Sequence, residues 1–156
     1  MNVKLMRADL ADSERLLEIQ KICFTPHLER YQDFDISPAM TGIDEIRWLI
    51  QNENFYKILF DDIWVGSINL RKLDEAGNYK LHIINILPEH QGKGIGQTAI
   101  RLAEKIFSDA ISWALETIED MPDNRHVYEK VGYKFTGETQ KVNDKLTLVF
   151  YEKKML

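Results

Sequence analysis

Short runs of alternating or continuous apolar residues, and longer runs in which they recur every three or four positions, divide the chain into strands and helices. Residues 3–7 read as a strand, and Asp9 or Asp12 can cap a helix running to about Cys23, with Leu16, Ile19 and Cys23 inward. From Thr25 to Met40 periodicity fades and two prolines intervene, which predicts a loop or short irregular helices of the kind that often carry binding function. Thr41-x-x-Asp44 resembles a capping box with Asp in place of Glu, opening a helix that carries Ile43, Ile46, Trp48, Leu49 and Ile50. Residues 55–60 and 63–70 form a hairpin pattern around Asp61-Asp62, and the polar turn Asp74-Glu75-Ala76-Gly77-Asn78 leads into a strand at 79–87. That strand is apolar on both faces from Leu81 onward, as a central strand is. A helix at 95–108 follows with Ile95, Ala99, Leu102, Ala103 and Ile106 on one stripe, then a fifth strand at 111–118. Its connection through a helix places it parallel to the fourth. A short helix at 124–131 stops at Gly132. Strands at 133–139 and 145–153 close the chain as a hairpin about Asn143-Asp144, the second with Leu146, Leu148 and Phe150 alternating with Lys145, Thr147 and Val149. The expectation is a single α+β domain over residues 1–156, with a mixed, mostly antiparallel sheet flanked by helices.

The junction between the fourth strand and the next helix is the informative stretch: Ile83-Ile84-Asn85-Ile86-Leu87-Pro88-Glu89-His90-Gln91-Gly92-Lys93-Gly94-Ile95-Gly96-Gln97-Thr98. Pro88 ends the strand because it has no N–H for the ladder. Glycines at 92, 94 and 96 let the backbone approach a ligand with no Cβ in the way, and the unpaired amides of the next helix offer an anion site. A phosphate loop of the G-x-x-x-x-G-K-[ST] type is absent. Gly94, Gly96 and Ala99, with Glu116 about 20 residues on, approach a dinucleotide fingerprint. However, Pro88 to Lys93 intervene between strand and first glycine, and the strand follows an antiparallel hairpin, so the context is wrong.

Composition narrows the partners. A net charge of −5 argues against general nucleic-acid binding. Cys23 is the only cysteine, which excludes an internal disulfide and a Cys-based zinc site and suggests a buried structural thiol. No apolar run approaches the roughly 18 residues of a membrane span, and Met1-Asn2-Val3-Lys4 lacks a signal-peptide core, so a cytoplasmic protein with no membrane partner is expected.

Gln91-Gly92-Lys93-Gly94-Ile95-Gly96 resembles the Q/R-x-x-G-x-G/A acyl-CoA loop of the GCN5-related N-acetyltransferase (GNAT) superfamily, and Ile86-Leu87-Pro88-Glu89-His90 resembles the end of that family's fourth strand. Asn124-Arg125-His126-Val127-Tyr128-Glu129-Lys130-Val131-Gly132-Tyr133 is similar to its N…YEKxGF/Y element, in the right order and separation. The resemblance covers nearly the whole chain. It implies a GNAT-like fold whose fourth and fifth strands splay apart around the pantetheine arm of acetyl-CoA, used as co-substrate. CoA contacts are then implied at Ile84, Ile86 and Leu87, along the turn at Gln91, Gly92, Lys93, Gly94, Ile95, Gly96 and Gln97, and at Asn124 and Tyr128. The implied reaction is direct attack of a small-molecule primary amine on the thioester. Ile86 would offer its backbone N–H to the thioester carbonyl, and Tyr128 would protonate or hydrogen-bond to the departing thiolate. The gap between Asn124 and Tyr128 is shorter than in many members.

Other candidates follow from residue type. Glu116 on the fifth strand and His82 on the fourth could take the amine's proton. His90, expected exposed, and His126 join no metal-ligand spacing, so no metal is expected. Lys93 could reach a phosphate or stay solvated, and Trp48, Trp64 and Trp113 read as packing. Glu29, Asp33, Asp35, Asp44 and Glu45 form an acidic cluster that could receive a cationic acceptor. Two alternatives to a small-molecule enzyme stay open: a protein or peptide N-acetyltransferase with a more open cleft near residues 25–45, and a non-catalytic CoA-binding or sensing module. A homodimer is an option by analogy with relatives.

Overall fold

A computed structural model describes residues 2–156; Met1, part of the segment read above for a leader, lies outside the described residues. Seven strands form one sheet in the order β1-β2-β3-β4-β5-β7-β6. They are β1 (Val3–Arg7), β2 (Asn54–Phe60), β3 (Ile63–Lys72), β4 (Asn78–Ile86), β5 (Ser112–Ile118), β6 (Lys134–Asn143) and β7 (Leu146–Lys154). All neighbours are antiparallel except β4 and β5, which run parallel as the helical crossover requires.

Four helices cover the sheet: α1 (Ser13–Tyr31), α2 (Ile43–Asn52), α3 (Ile95–Ile106) and α4 (Pro122–Lys130). Two clusters of buried side chains result. Leu16 of α1 and Ile46, Leu49 and Ile50 of α2 pack with Ala8 and Phe55. Ile95, Ala99, Ile100 and Ala103 of α3 pack on the larger core built from Ile58, Ile68, Leu81, Trp113, Leu115, Val149 and Tyr151. Trp113 lies in an aromatic group with Tyr79 and Phe107, its ring centroid 5.1 Å from that of Tyr79. No helix among the described residues is long and apolar enough to cross a membrane.

Several local expectations are corrected. The first helix does not end at Cys23 but continues through Pro26 to Tyr31. Proline removes one helical N–H, yet this end is anchored: Tyr31 is buried and its hydroxyl donates to Asp120 at 2.6 Å. Gln32 then closes the helix in the left-handed conformation, its N–H donating to Leu28 O. The irregular stretch thus shrinks to residues 32–42, with a short 3-10 turn at Pro38–Met40. Asp9 caps a 3-10 turn at Leu10–Asp12 rather than α1 itself. Thr41 does not cap α2, because its hydroxyl accepts from Gln20 Nε2 at 2.9 Å, and Gly42 takes the cap position. Trp48 projects into solvent rather than into packing, whereas Trp64 is half-buried and Trp113 fully buried. His90 is half-buried, edge-on to Phe60, rather than exposed. On β7 the residues buried in the main core are Val149 and Tyr151, while Leu148 faces the other side of the sheet.

Trp113→Ala removes the largest buried side chain beside the β4–β5 junction. It is expected to destabilise the protein by about 3–5 kcal/mol, read as a lower urea midpoint with an unchanged slope. A loss below about 1 kcal/mol would show that this aromatic group does not hold the sheet together.

Candidate functional site

β4 and β5 pair over only three residues each, Asn78–Lys80 with Ser112–Ala114. Against β3, the register of β4 shifts between Leu81 and Ile83, leaving His82 as the extra residue of a bulge. A bulge bends a strand and increases its twist. Here it also reverses the side-chain alternation: Tyr79 and Leu81 before it, and Ile84 and Ile86 after it, all lie against the main core. Beyond the bulge the two strands diverge around a cleft of about 820 Å³, within the usual range for ligand sites.

The main-chain groups of β4 are sorted by this divergence. Leu87 N–H donates to Val65 O of β3 at 2.8 Å, so Leu87 faces β3 and its neighbour Ile86 faces the gap. Gln91 Nε2 and Cys23 Sγ donate to Ile86 O on that side, at 2.9 and 3.4 Å. The N–H of Ile86 points the same way.

At the mouth of the cleft the glycine turn enters α3. Gly94 occupies the N-cap position at φ +78°, a left-handed conformation that glycine adopts without strain, and no side chain caps the helix. A Cβ at Gly92 or Gly94 would meet nothing within 4 Å, so the turn is open rather than packed. Among the described residues, the first amide after Gln91 to find an acceptor is that of Thr98, bonded to Gly94 O. The N–H groups from Gly92 to Gln97 are therefore free to bind an anion at the positive end of a twelve-residue helix. Lys93 is exposed and lies over the Phe60 ring, 5.5 Å from its centroid.

Tyr128 of α4 lines the same cleft, with its ring edge-on to Tyr133 at 6.3 Å. Burial pushes its phenol up to about 12, which makes it a weaker acid than an ordinary tyrosine. Asn124, one turn earlier, also lines the cleft, its amide 3.8 Å from Met121 Sδ. The family model described as the Acetyltransferase (GNAT) family matches residues 13–133.

The chain belongs to the GNAT family.

It is thus an acyltransferase, and the solved structures it is similar to agree in fold. The PaiA N-acetyltransferase of Thermoplasma acidophilum, solved in complex with coenzyme A, is 18% identical with a TM-score of 0.77, over 99% of this chain and 100% of that one. The spermidine N-acetyltransferase of Vibrio cholerae, in complex with CoA and spermine, is 18% identical with a TM-score of 0.75, over 96% and 94%. The IAA acetyltransferase of Bacillus cereus is 15% identical with a TM-score of 0.68, over 99% and 100%. No curated protein sequence matches the chain.

In this GNAT chain most residues expected at the CoA site do line the cleft, Ile84, Ile86, Gln91, Gly92, Gly94, Ile95, Gly96 and Gln97 included. Leu87 is buried and turned to β3, Lys93 is exposed, and neither lines the cleft. Glu116 and His82 line the cleft but are already engaged. Glu116 pairs with Lys80 at 2.9 Å. His82 Nδ1 lies 2.8 Å from Asn69 Oδ1 and 3.2 Å from Arg71, whose Nε holds Glu53 at 2.6 Å. Asn69 Oδ1 can only accept and Arg71 can only donate, so Nδ1 has a hydrogen-bond partner in either neutral tautomer. Burial, then the charges of Arg71 and Lys80, depress the imidazole to about 4. Glu53 Oε1 is 3.7 Å from Nδ1 but does not reverse this, because Arg71 already matches its charge.

Residues not expected at the site also line the cleft: Cys23, Phe24 and His27 of α1, Gln140 of β6, and Leu146 and Leu148 of β7. Cys23 is half-buried against the cleft rather than a core thiol, and burial, with Glu89 nearby, raises its thiol to about 11. The alternation on β7 placed Leu146 and Leu148 on one face; only the splayed sheet shows that this face borders a cleft.

Because its folded-state value lies below the ordinary 6.5, His82 takes up a proton more readily in the unfolded chain. Its contribution to stability is therefore complete above pH 6.5 and is lost as pH falls from there toward 4. An NMR titration of the His82 ring is expected to show a midpoint near 4, and His82→Gln is expected to flatten this part of the stability–pH curve; a ring titrating near 6.5 would show that it is not held neutral.

Proposed function

We propose that the chain transfers the acetyl group of acetyl-CoA to the primary amine of a small molecule by direct attack on the thioester. The observation that carries this reading is the combination of free amides at Gly92–Gln97 with a protonated phenol, Tyr128, in one cleft between splayed strands. The residues present fit the co-substrate: open amides for its diphosphate, and the gap-facing main chain of β4 for its amide-bearing arm. Acetyl-CoA supplies an acyl group activated on sulfur.

The chain's own groups then have separable tasks. Ile86 N–H faces the gap and offers a main-chain donor where negative charge develops on the carbonyl oxygen. Tyr128 places an O–H beside the departing sulfur. A phenol near 12 would surrender its proton to a thiolate of ordinary value, about 8.5, only at a cost of about 5 kcal/mol. Tyr128 therefore acts by hydrogen bonding to the developing thiolate rather than by net proton transfer. An alkyl amine near 10.4 must also shed a proton, at roughly 4–5 kcal/mol from neutral pH. Depressed to about 4, His82 is too weak a base to take the proton of an alkylammonium, which passes to solvent water; the uncharged ring on the cleft wall is assigned instead to hold the neutral amine by a hydrogen bond. Glu116 on β5 also lines the cleft, its carboxylate paired with Lys80.

A small acceptor is favoured over a peptide because the far end of the cleft is walled. Asn143 Nδ2 at the tip of the β6–β7 hairpin donates to Tyr31 O at 3.0 Å, tying the hairpin to the end of α1.

A thiol-release screen across polyamines, aminoglycosides, amino acids and peptides should give turnover with small amines and not with peptides; peptide-only turnover would overturn the assignment. Tyr128→Phe should lower kcat at least about tenfold, with acetyl-CoA affinity by calorimetry unchanged. His82→Gln should lower kcat by one common factor between about pH 6 and 9, since a group near 4 does not titrate there. If instead Glu116→Gln alone shifts the acidic limb, the base is Glu116.

A further inference from the structure

The acidic residues between positions 29 and 45 do not gather into one site. Glu29, Asp35 and Glu45 are exposed, and Asp44 is solvated and turned to Arg47 of its own helix. Asp33 stands apart. It is only 8% exposed, it lines the cleft, and its Oδ1 is buried with no hydrogen-bond partner. A carboxylate oxygen out of water with no partner costs stability. The neighbouring cations do not relieve it: Arg30 is directed to Asp120 and the Tyr31 ring. His27 beside it is held toward its neutral form by burial, although the Asp33 charge opposes this.

The cleft that Asp33 lines is rich in apolar side chains, among them Phe24 of α1, Ile36, and Leu146 and Leu148 of β7. A group that completes Asp33 must therefore be cationic and must arrive at the end of an apolar spacer.

We infer that Asp33 receives a second ammonium group of the acceptor, so that the preferred substrate is an alkyl diamine or longer polyamine rather than a monoamine. This rests on the acetyl-transfer reading above: one amine reaches the thioester while the other, charged at neutral pH, is held by Asp33.

The test compares diaminobutane with pentylamine, in which a methyl group stands where the second ammonium was. Both are titrated calorimetrically into the full chain with and without CoA, using wild type and Asp33→Asn, with thermal unfolding as a control for the isosteric change. Wild type is expected to bind diaminobutane at least about tenfold more tightly than pentylamine. Asp33→Asn is expected to abolish that preference and leave pentylamine unaffected. Equal binding of the two amines by wild type, which needs no variant, would overturn the inference, as would a preference that survives Asp33→Asn. Turnover is read separately as thiol release from acetyl-CoA. Diamine binding through Asp33 without thiol release would reject the acetyl-transfer reading alone and leave Asp33 as the cation site of a CoA-binding module.

Discussion

Two central strands that ought to be bonded along their length are joined over three residues, and the cleft exists because of it. In a continuous sheet the N–H and C=O of Ile86 would be matched by β5. Here they face open space, with the carbonyl satisfied by the Gln91 amide and the Cys23 thiol. Buried main-chain groups are rarely left unmatched in a stable fold. A gap of this kind, between strands anchored on their outer sides by β3 and β7, is a vacancy shaped for an extended chain with its own amides. The His82 bulge produces the divergence and also brings Ile84 and Ile86 onto the side of the sheet where α3 packs. The same register shift thus opens the gap and sets the glycine turn beside it.

Beneath the cleft the sheet is stiffened by polar groups rather than hydrocarbon alone. Ser67, Asn69 and Asn85 are all buried on adjacent β3 and β4, and Asn85 Oδ1 accepts from both the N–H and the hydroxyl of Ser67, at 2.9 and 3.0 Å. Asn69 in turn fixes the His82 ring, and Arg71 and Glu53 close the chain of contacts toward α2. The network is only partly satisfied: Asn69 Nδ2, Asn85 Nδ2 and Glu53 Oε1 are buried without a partner among the described residues, which costs stability while the bonded members fix the His82 ring. Burial and the charges of Arg71 and Lys80 keep His82 neutral well into the acid range, where an ordinary imidazole would be charged.

How much of this could be read from the chain depended on whether a feature is local. The glycine turn was legible because proline, glycine spacing and an amphipathic helix are all local facts, and the parallel crossover followed from one helical connection. The α1 extension was not, because Pro26 and fading periodicity argued for a loop, and the contacts that override them come from Asp120 and Asn143, about 90 and 110 residues away. The bulge was equally hidden: Ile83, Ile84 and Ile86 are interchangeable as letters, and only pairing with β3 decides which face each takes. Asp33 could not be told from Asp35 or Asp44 by sequence, since their difference lies wholly in burial.

The tyrosines show how that environment divides one residue type into distinct roles. The hydroxyl of Tyr31 donates to Asp120, that of Tyr79 lies 3.3 Å from Asp109, and that of Tyr151 reaches Glu129 at 2.8 Å while accepting from Arg125. Each of these phenols is committed to holding two elements together. The Tyr133 hydroxyl is buried with no partner and sits behind Tyr128, packed ring to ring. Tyr128 combines a place on the cleft wall with a phenol that burial makes a weaker acid and that donates to none of the described residues. A donor that is buried enough to stay neutral, and still unspent, gains its partner only when charge appears beside it. In the acetyl transfer proposed above, that condition is met at a departing thiolate and not in the resting fold, so the hydrogen bond proposed for Tyr128 would favour the transition state over the ground state.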